Sequence, residues 1–338
     1  MFLSNSKIVL ASFVHDSVKK TLGSVGSVIE NLNQEPWTRN ELINHLQDAD
    51  GLMAFMTERI DSDLLDQCPS LKVIAGALKG FNNIDIEACS EHGVIVTIVP
   101  DLLTIPTAEL TVGLMIALSR KIILADQYVR GGNFKGWRPI FFGNSVVGSN
   151  VGIIGAGAVG KAIFKMLHGF DCRCFYVDPV ALKPEEEAVL NVTCETLEYV
   201  LKEADFVILG MHLTADSFHI IDQEFLAKMK PGAYLINPAR GSLIDEAAVA
   251  EALSSGHLGG FATDTYEIED WAIDGRPGFV HPGILNSERT VLTPHIGSAV
   301  GKTREAIELS AANSIISALK GEKPNTSINF DNLIKIED

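Results

Sequence analysis

Three groups able to do acid–base chemistry stand where strand-like runs of the chain end. NPARGS (237–242) closes one run with Arg240, FATDTYEIED (261–270) carries Asp264 and Glu269, and TVLTPHIGS (290–298) carries His295. Each residue type has its own use. A guanidinium clamps an oxyanion through two parallel N–H donors. An imidazole exchanges a proton near neutral pH. A carboxylate on the far ring nitrogen orients that imidazole and raises its basicity. A lone histidine would be commonplace. An arginine, a glutamate and a histidine at successive strand ends read as one proton-transfer site, because ligands of open parallel sheets bind beyond the carboxyl ends of strands.

A second constellation precedes them. VGIIGAGAVGKAIFKML places Gly155, Gly157 and Gly160 in G-x-G-x-x-G spacing after a strand-like run and at the start of a helix-like one. In that context Gly155 permits the tight turn, Gly157 lets the backbone approach a pyrophosphate, and Gly160 lets helix pack on strand. The amides of Ala158 and Val159, opening the helix, would face phosphates. The next run ends FYVD, with Asp178 18 residues after Gly160. A carboxylate there accepts from the adenosine ribose hydroxyls and repels a 2′-phosphate. Pro179, Val180, Ala181 and Leu182 follow before the first cation, Lys183, so NAD is expected rather than NADP.

The elements that must hold these groups alternate along the chain. KIVLASF (7–13), GLMAFM (51–56), LKVIAGAL (71–78) and VIVTIV (94–99) read as four strands. Thr38 and Glu41 form a capping-box helix start between the first two. Such alternation predicts β-α-β units and parallel sheets. TAELTVGLMIALSRKIILADQYV (107–129) reads as one long helix, apolar nearly all round and so expected to be buried on all sides. GWRPIFFGN (136–144) reads as a loop. NVGIIG, RCFYVD, DFVILG, AYLINPA, FATDT and TVLTP then give six further strands. A last helix, roughly 298–320, has no sheet of its own and is expected to return to the first domain. The fold class is therefore α/β, with two Rossmann-like, doubly wound parallel-sheet domains. Residues 1–101 and 296–338 form a discontinuous, flavodoxin-like substrate domain, and 102–295 a nucleotide-binding domain.

The totals restrict the function. The 338 residues exceed one ordinary core, and a net charge of -16 argues against nucleic acid or an anionic membrane as partner. No apolar run reaches the roughly 18 residues of a membrane span. MFLSNSKIVLASFVHD lacks the pattern of a signal peptide. Cys68, Cys89, Cys172, Cys174 and Cys194 suggest neither a disulfide framework nor a metal site, and read as small apolar residues in a reducing cytoplasm. His168, His219, His257 and His281 fall in helix or loop contexts and read as surface residues.

GAGAVG, NPARG, DTYEIED and TPHIGS together resemble, in order and spacing over essentially the whole length, the D-2-hydroxyacid dehydrogenases. The resemblance implies two Rossmann-like domains and dimers formed through the nucleotide domain. It puts the catalytic trio on Arg240, Glu269 and His295. It extends contact with NAD to Thr107, Gly210, Met211, His212, Pro238, Ala239, Arg240, Asp264, His295 and Ser298. Formate-oxidising members have Gln where Glu269 stands, which counts against formate.

Within the family, ALKGF (77–81), VPDLLT with PTAEL (99–110) and EIEDWA (267–272) resemble the phosphite-oxidising members. That resemblance makes Lys79 catalytic and places Gly80, Met56, Ser298 and Arg304 with Lys79 and Arg240 at the substrate. The departures are Asn82 for a usual Asp, His212 for a usual Pro and Phe142 for a tyrosine near the substrate mouth. Trp137 and Phe142 are candidates to line the cleft, and Trp271 to wall the pocket. A second cation has a physical use. Phosphite is largely a dianion near neutral pH, and attack by water at phosphorus adds charge that fixed cations stabilise. The leading expectation is oxidation of phosphite with hydride transfer to NAD. The alternative is a glyoxylate- or hydroxypyruvate-type 2-hydroxyacid dehydrogenase using the same trio. A more remote reading is a non-catalytic NAD-sensing protein like the C-terminal-binding corepressors.

Overall fold

In a computed structural model, which describes residues 6–333, the chain divides into two units. One holds the described residues up to Leu103, Trp271–Asp274 and those from Ala299 on; the other holds Thr104–Asp270 and Gly275–Ser298.

The first unit is built on five parallel strands: β1 (Ser6–Leu10), β2 (Gly26–Glu30), β3 (Gly51–Ala54), β4 (Val73–Gly76) and β5 (Ile95–Thr97). Their order is β2-β1-β3-β4-β5, the flavodoxin-like winding. Successive side chains of a strand point to opposite faces, so a sheet covered on both sides needs strands apolar throughout. Ile8, Leu10, Met53 and Val73 therefore pack with Ile307, Ala311 and Ile315 of the helix Gly301–Leu319. Val9, Leu52, Ile74 and Val96 pack on the other side with Leu42 and Leu46 of the helix Arg39–Leu46. Thr38 caps that helix, its hydroxyl accepting from the Glu41 N–H while Glu41 Oε2 accepts from the Thr38 N–H at 2.8 Å. The helix Gly301–Leu319 is thus part of the first unit's core.

The second unit is built on seven parallel strands: β6 (Asn150–Ile154), β7 (Arg173–Val177), β8 (Val192–Cys194), β9 (Phe206–Leu209), β10 (Tyr234–Asn237), β11 (Gly260–Thr263) and β12 (Thr290–Leu292). They lie in the order β12-β11-β10-β9-β6-β7-β8. The order reverses beside β6, the strand that leads into the glycine-rich turn, and an open sheet takes its ligand at such a switch point. Val151, Ile153, Ile208 and Ile236 pack with Met115 and Ile163 on one face, and Val207, Leu209, Leu235 and Phe261 with Val200, Leu226 and Val249 on the other.

Four expectations are corrected. The first sheet has β2 in addition to the four strands expected; its GSVIE sits at an edge, with no residue fully buried and no alternation strong enough to mark it. The second sheet has β8 in addition to the six expected, three residues at the opposite edge from β12. The single helix over 107–129 is instead two, Thr104–Ser119 and Ile122–Arg130, broken at Lys121, whose φ is +54°. Burial on all sides holds for neither: Ile105 is exposed in the first piece, and the second buries none of its residues, with Ile122, Ile123 and Val129 exposed. Finally β4 stops at Gly76, and Lys79 follows three residues later, after the Ala77 N–H has donated to Ala54 O and Leu78 O has accepted from Val99 N–H.

Among the described residues no helix is long and apolar enough to cross a membrane. All five cysteines are free thiols. Burial pushes Cys68 up to about 11 and Cys89 and Cys174 up to about 12, the direction expected of thiols in apolar cores.

Candidate active site

The glycine-rich turn leaves β6 at Gly155, whose φ is +103°. A Cβ there would stand 2.6 Å from the carbonyl of Gly210 and 2.9 Å from the amide nitrogen of Met211. The turn after β9 is therefore pressed against the turn after β6, and Gly210 and Met211 lie beside the glycine motif. Gly160 is held as tightly, since its Cβ would come 2.6 Å from Gly155 O. Gly157 differs: nothing lies within 4 Å of the position its Cβ would take. It is also the N-cap of the helix Ala158–Leu167 and offers no side chain to the first-turn N–H groups, including those of Ala158 and Val159. Open space beside uncapped helix amides is what a diphosphate requires. Asp178, one residue beyond β7, accepts from the Ala156 N–H and the Val180 N–H, each at 2.9 Å. Its carboxylate thus buttresses the glycine turn, and each oxygen keeps a second acceptor position for a ribose hydroxyl. His212 is exposed beyond β9.

The acid–base groups stand beyond β10, β11 and β12, which are neighbours in the sheet. After β10 the Asn237 side chain shapes the turn: Oδ1 accepts from the Ala239 N–H and Nδ2 donates to Arg240 O. Pro238 is buried; Ala239 and Arg240 are half-buried. Burial lowers the pKa of Arg240, while the charges of Asp270 and Glu269 pull it back up, and its Nη1 donates to Ala239 O at 2.7 Å. Gly241 has no room for a side chain, because a Cβ would meet the Tyr266 carbonyl carbon at 1.8 Å.

Beyond β11, Asp264 is buried and organises the strand beside it. Oδ1 accepts from the Thr293 hydroxyl at 2.7 Å and the Ile296 N–H at 2.8 Å, and Oδ2 from the Gly297 N–H at 2.8 Å. Burial raises its pKa, and these donors oppose the rise. A Cβ at Gly297 would lie 3.2 Å from both Asp264 Oδ2 and Thr107 Oγ1, so Thr107 closes on the same segment, just before the half-buried Ser298. His295 sits at φ +54°, a conformation uncommon outside glycine. Its Nδ1 is 3.0 Å from Glu269 Oε2, and Glu269 Oε1 accepts from the Tyr266 N–H at 3.0 Å. Nε2 is then the ring atom placed to exchange a proton with a ligand. Arg240, Glu269 and His295 are thus brought together within one unit.

The remaining substrate candidates belong to the other unit and gather beyond β3 and β4. Met56 lies in the turn Phe55–Glu58, whose shape is held by the buried Glu58 carboxylate: it accepts from the Phe55 N–H and the Thr57 hydroxyl, each at 2.5 Å. Asn83 Nδ2 donates to Phe55 O and Glu58 O across the same turn. Lys79 and Gly80 are half-buried. Arg304 donates from Nη1 to Ala77 O and from Nε to Glu308 Oε1, both at 3.1 Å, with its guanidinium carbon 5.2 Å from the centre of the Phe55 ring. It thus binds the carbonyl of the residue two positions before Lys79 in the sequence.

Residues 112–297 match the model of the D-isomer specific 2-hydroxyacid dehydrogenase NAD-binding domain. The chain belongs to that family. It is 37% identical over 297 residues to a glyoxylate reductase of Thermococcus onnurineus, covering 86% of each chain. It is 37% identical over 303 residues to a glyoxylate reductase of Pyrococcus horikoshii, covering 88% of each. Among solved structures it resembles a glyoxylate reductase from Paecilomyes thermophila, with TM-score 0.82, 27% identity and coverage of 96% of this chain and 98% of that one. As a family member it is an NAD-dependent oxidoreductase. The uncapped helix at Gly157 and the carboxylate of Asp178 are the parts of this chain that fit the dinucleotide.

Several residues of this dehydrogenase carry structure that the motifs alone did not mark. Tyr266 donates from its hydroxyl to Thr293 O at 3.0 Å, tying the segments that bear Glu269 and His295. Asp270 is buried and accepts from the Ser242 N–H at 2.8 Å. The reading of four histidines as surface residues is corrected in part. His168 is exposed, but His219, His257 and His281 are half-buried, His257 bonding Leu226 O and His219 pairing with Glu267. Trp137 and Phe142 are exposed within this chain, 82% and 77%.

Proposed function

We propose that this dehydrogenase interconverts a small 2-hydroxy acid and its 2-oxo acid, with a substrate of glyoxylate size. The observation that carries the reading is the His295–Glu269 pair, 3.0 Å apart, next to Arg240 in the unit that bears the dinucleotide turn. Arg240 pairs with the substrate carboxylate. His295 Nε2 takes the hydroxyl proton as the hydride leaves carbon, and Glu269 stabilises the imidazolium that forms. Bound NAD supplies the hydride acceptor. The relatives named glyoxylate reductase support this substrate class.

A second reading is favoured by one feature. Lys79, in ALKGF, adds a cation to a turn already flanked by Arg304. A monocarboxylate needs one such partner; phosphite, a dianion, gains from more. In this reading His295 takes a proton of the water that attacks phosphorus, and NAD, when bound, would accept the hydride of the broken P–H bond. The products are phosphate, NADH and a proton.

One assay separates them. NADH absorbance is followed with glyoxylate in the reducing direction and with phosphite in the oxidising direction, at matched concentrations. Turnover of glyoxylate well above that of phosphite supports the first reading; the reverse order replaces it with the second. No turnover with any small anion, alongside tight NAD binding, would overturn both.

The exposed Ile122, Ile123, Val129, Trp137 and Phe142 of this unit support a homodimer formed through the nucleotide domain. Light scattering on the wild type and on Trp137→Glu tests it: a monomeric mass for the wild type would sink the proposal.

A further inference from the structure

The short 3-10 turn Glu267–Glu269 carries two carboxylates, and each meets a histidine. Glu269 takes Nδ1 of His295. Glu267, whose side chain is only 14% exposed, takes Nε2 of His219. The His219 ring is fixed on its other side by Phe218, with ring centroids 4.0 Å apart and planes 16° from parallel. Its backbone lies at φ +51°, and its N–H donates to Ser242 O at 2.9 Å. Ser242 N–H in turn donates to Asp270 Oδ2.

These bonds close a ring. It runs from the His219 side chain to Glu267, along the chain to Asp270, across to Ser242, and back to the His219 backbone. Both arms of the site hang from it: Arg240 immediately precedes the turn Gly241–Leu243, and Glu269 lies between Glu267 and Asp270. Two further carboxylates act on Glu267, and Arg276 donates to Ile268 O in the same turn. Glu246 is buried and accepts from the Glu267 N–H at 3.3 Å and the His281 N–H at 2.7 Å, and Asp245 is next to it. Burial and these two carboxylates push the Glu267 pKa up; His219 pulls it down. Without a donor at His219, nothing in this set holds the Glu267 carboxylate in place.

We propose that His219 is a positioning residue: its ring N–H, seated on Glu267, fixes the turn that aims Glu269 at His295. This rests on His295 and Glu269 being the acid–base pair of the proposed reaction, but not on which acid or anion is the substrate.

His219→Phe keeps the ring stack and removes the donor; His219→Gln restores a donor. With the substrate that the wild type turns over, His219→Phe should lower kcat about tenfold, part of the 10²–10⁴ that acid–base catalysis supplies. The Michaelis constant for NAD should stay within about twofold, and His219→Gln should recover most of the loss. In a Glu269→Gln background His219→Phe should cost nothing further, since its effect passes through Glu269. A full, additive loss in that background, or an unchanged kcat, overturns the proposal. A second readout needs no turnover. The downfield proton resonance of the His295 imidazole N–H, identified by its loss in Glu269→Gln, should broaden or vanish in His219→Phe. Its persistence unshifted would refute the proposal even if the substrate reading failed. If His219→Phe does not fold, Glu267→Met breaks the same contact from the other side and carries the same expectations.

Discussion

Glu269 is bound at both oxygens: Oε2 lies 3.0 Å from His295 Nδ1, and Oε1 accepts from the Tyr266 N–H at the same distance. The carboxylate is therefore aimed by the fold itself, and as an acceptor it favours the imidazole tautomer with the proton on Nδ1, which presents Nε2. Because His295 also sits at φ +54°, its ring direction depends on this partner and on the Asp264 bonds to Ile296 and Gly297.

Removing that partner is the first test. Glu269→Ala should lower kcat by roughly 10–100-fold, with a smaller loss for Glu269→Gln, which keeps an oxygen that can accept from the ring. NADH affinity, read by fluorescence titration, should stay within about twofold in both. A kcat unchanged in Glu269→Ala would mean that His295 is not oriented through this contact.

Asp178 has two duties, and its substitution should separate them. It accepts from the Ala156 N–H inside the glycine turn, and in the proposed NAD site its charge would repel a 2′-phosphate. Asp178→Ala should weaken NAD by roughly 1–2 kcal/mol and narrow the NAD-to-NADP ratio of kcat/KM by at least about tenfold. Asp178→Asn keeps an acceptor for Ala156 while losing the charge. It should therefore relax the cofactor preference with less cost to thermal stability. If Asp178→Asn retains the full preference for NAD, charge is not the discriminating property.

Local signals were the legible ones. The Gly155–Gly160 turn and the FYVD strand end are contiguous, and glycine needs there follow from a few neighbouring backbone atoms. The Arg240–Glu269–His295 trio was readable because each residue closes a strand of one sheet, which turns a separation of up to 55 positions into adjacency. Two of the four edge strands were not readable: GSVIE and VTC are too short and too exposed to show a period, whereas the edge strands over VIVTIV and TVLTP were read from their apolar runs. The break at Lys121 was hidden because neither glycine nor proline marks it; a lysine takes the left-handed conformation instead. The His219–Glu267 pair joins positions 48 apart through a loop and a 3-10 turn, with no periodicity to connect them.

Lys79 separates the two substrate readings. Lys79→Met keeps much of the stem and removes the charge. If phosphite is the substrate, this variant should raise its Michaelis constant or lower kcat by at least about tenfold, since a preformed charge in a site supplies several kcal/mol. If a 2-hydroxy acid is the substrate and Arg240 is its sole charged partner, kcat/KM should fall less than about threefold. Steady-state kinetics with whichever substrate turns over decides between them. A change of less than twofold on every substrate would place Lys79 outside the site.

Glu58 offers a test on stability rather than turnover. It is buried at 5% exposure, and burial raises its pKa above the 4.5 of a free side chain, against the pull of the Thr57 hydroxyl and the Phe55 N–H. A carboxyl with a raised folded pKa contributes stability that is fully present below about pH 4.5 and is lost as pH rises through the folded value. At neutral pH the ionised group therefore weighs against the fold. Glu58→Gln removes the ionisation while an amide oxygen still accepts from the Phe55 N–H and the Thr57 hydroxyl turns to accept from the amide nitrogen. Its melting temperature relative to wild type should be higher by a few degrees near pH 8, with the gain shrinking steadily as pH falls toward 4.5. Asn83, which spans the same turn, keeps Met56 in place in both proteins, so catalytic constants should change little. Calorimetry across that range decides it: an offset independent of pH would show that Glu58 is not held ionised against its burial.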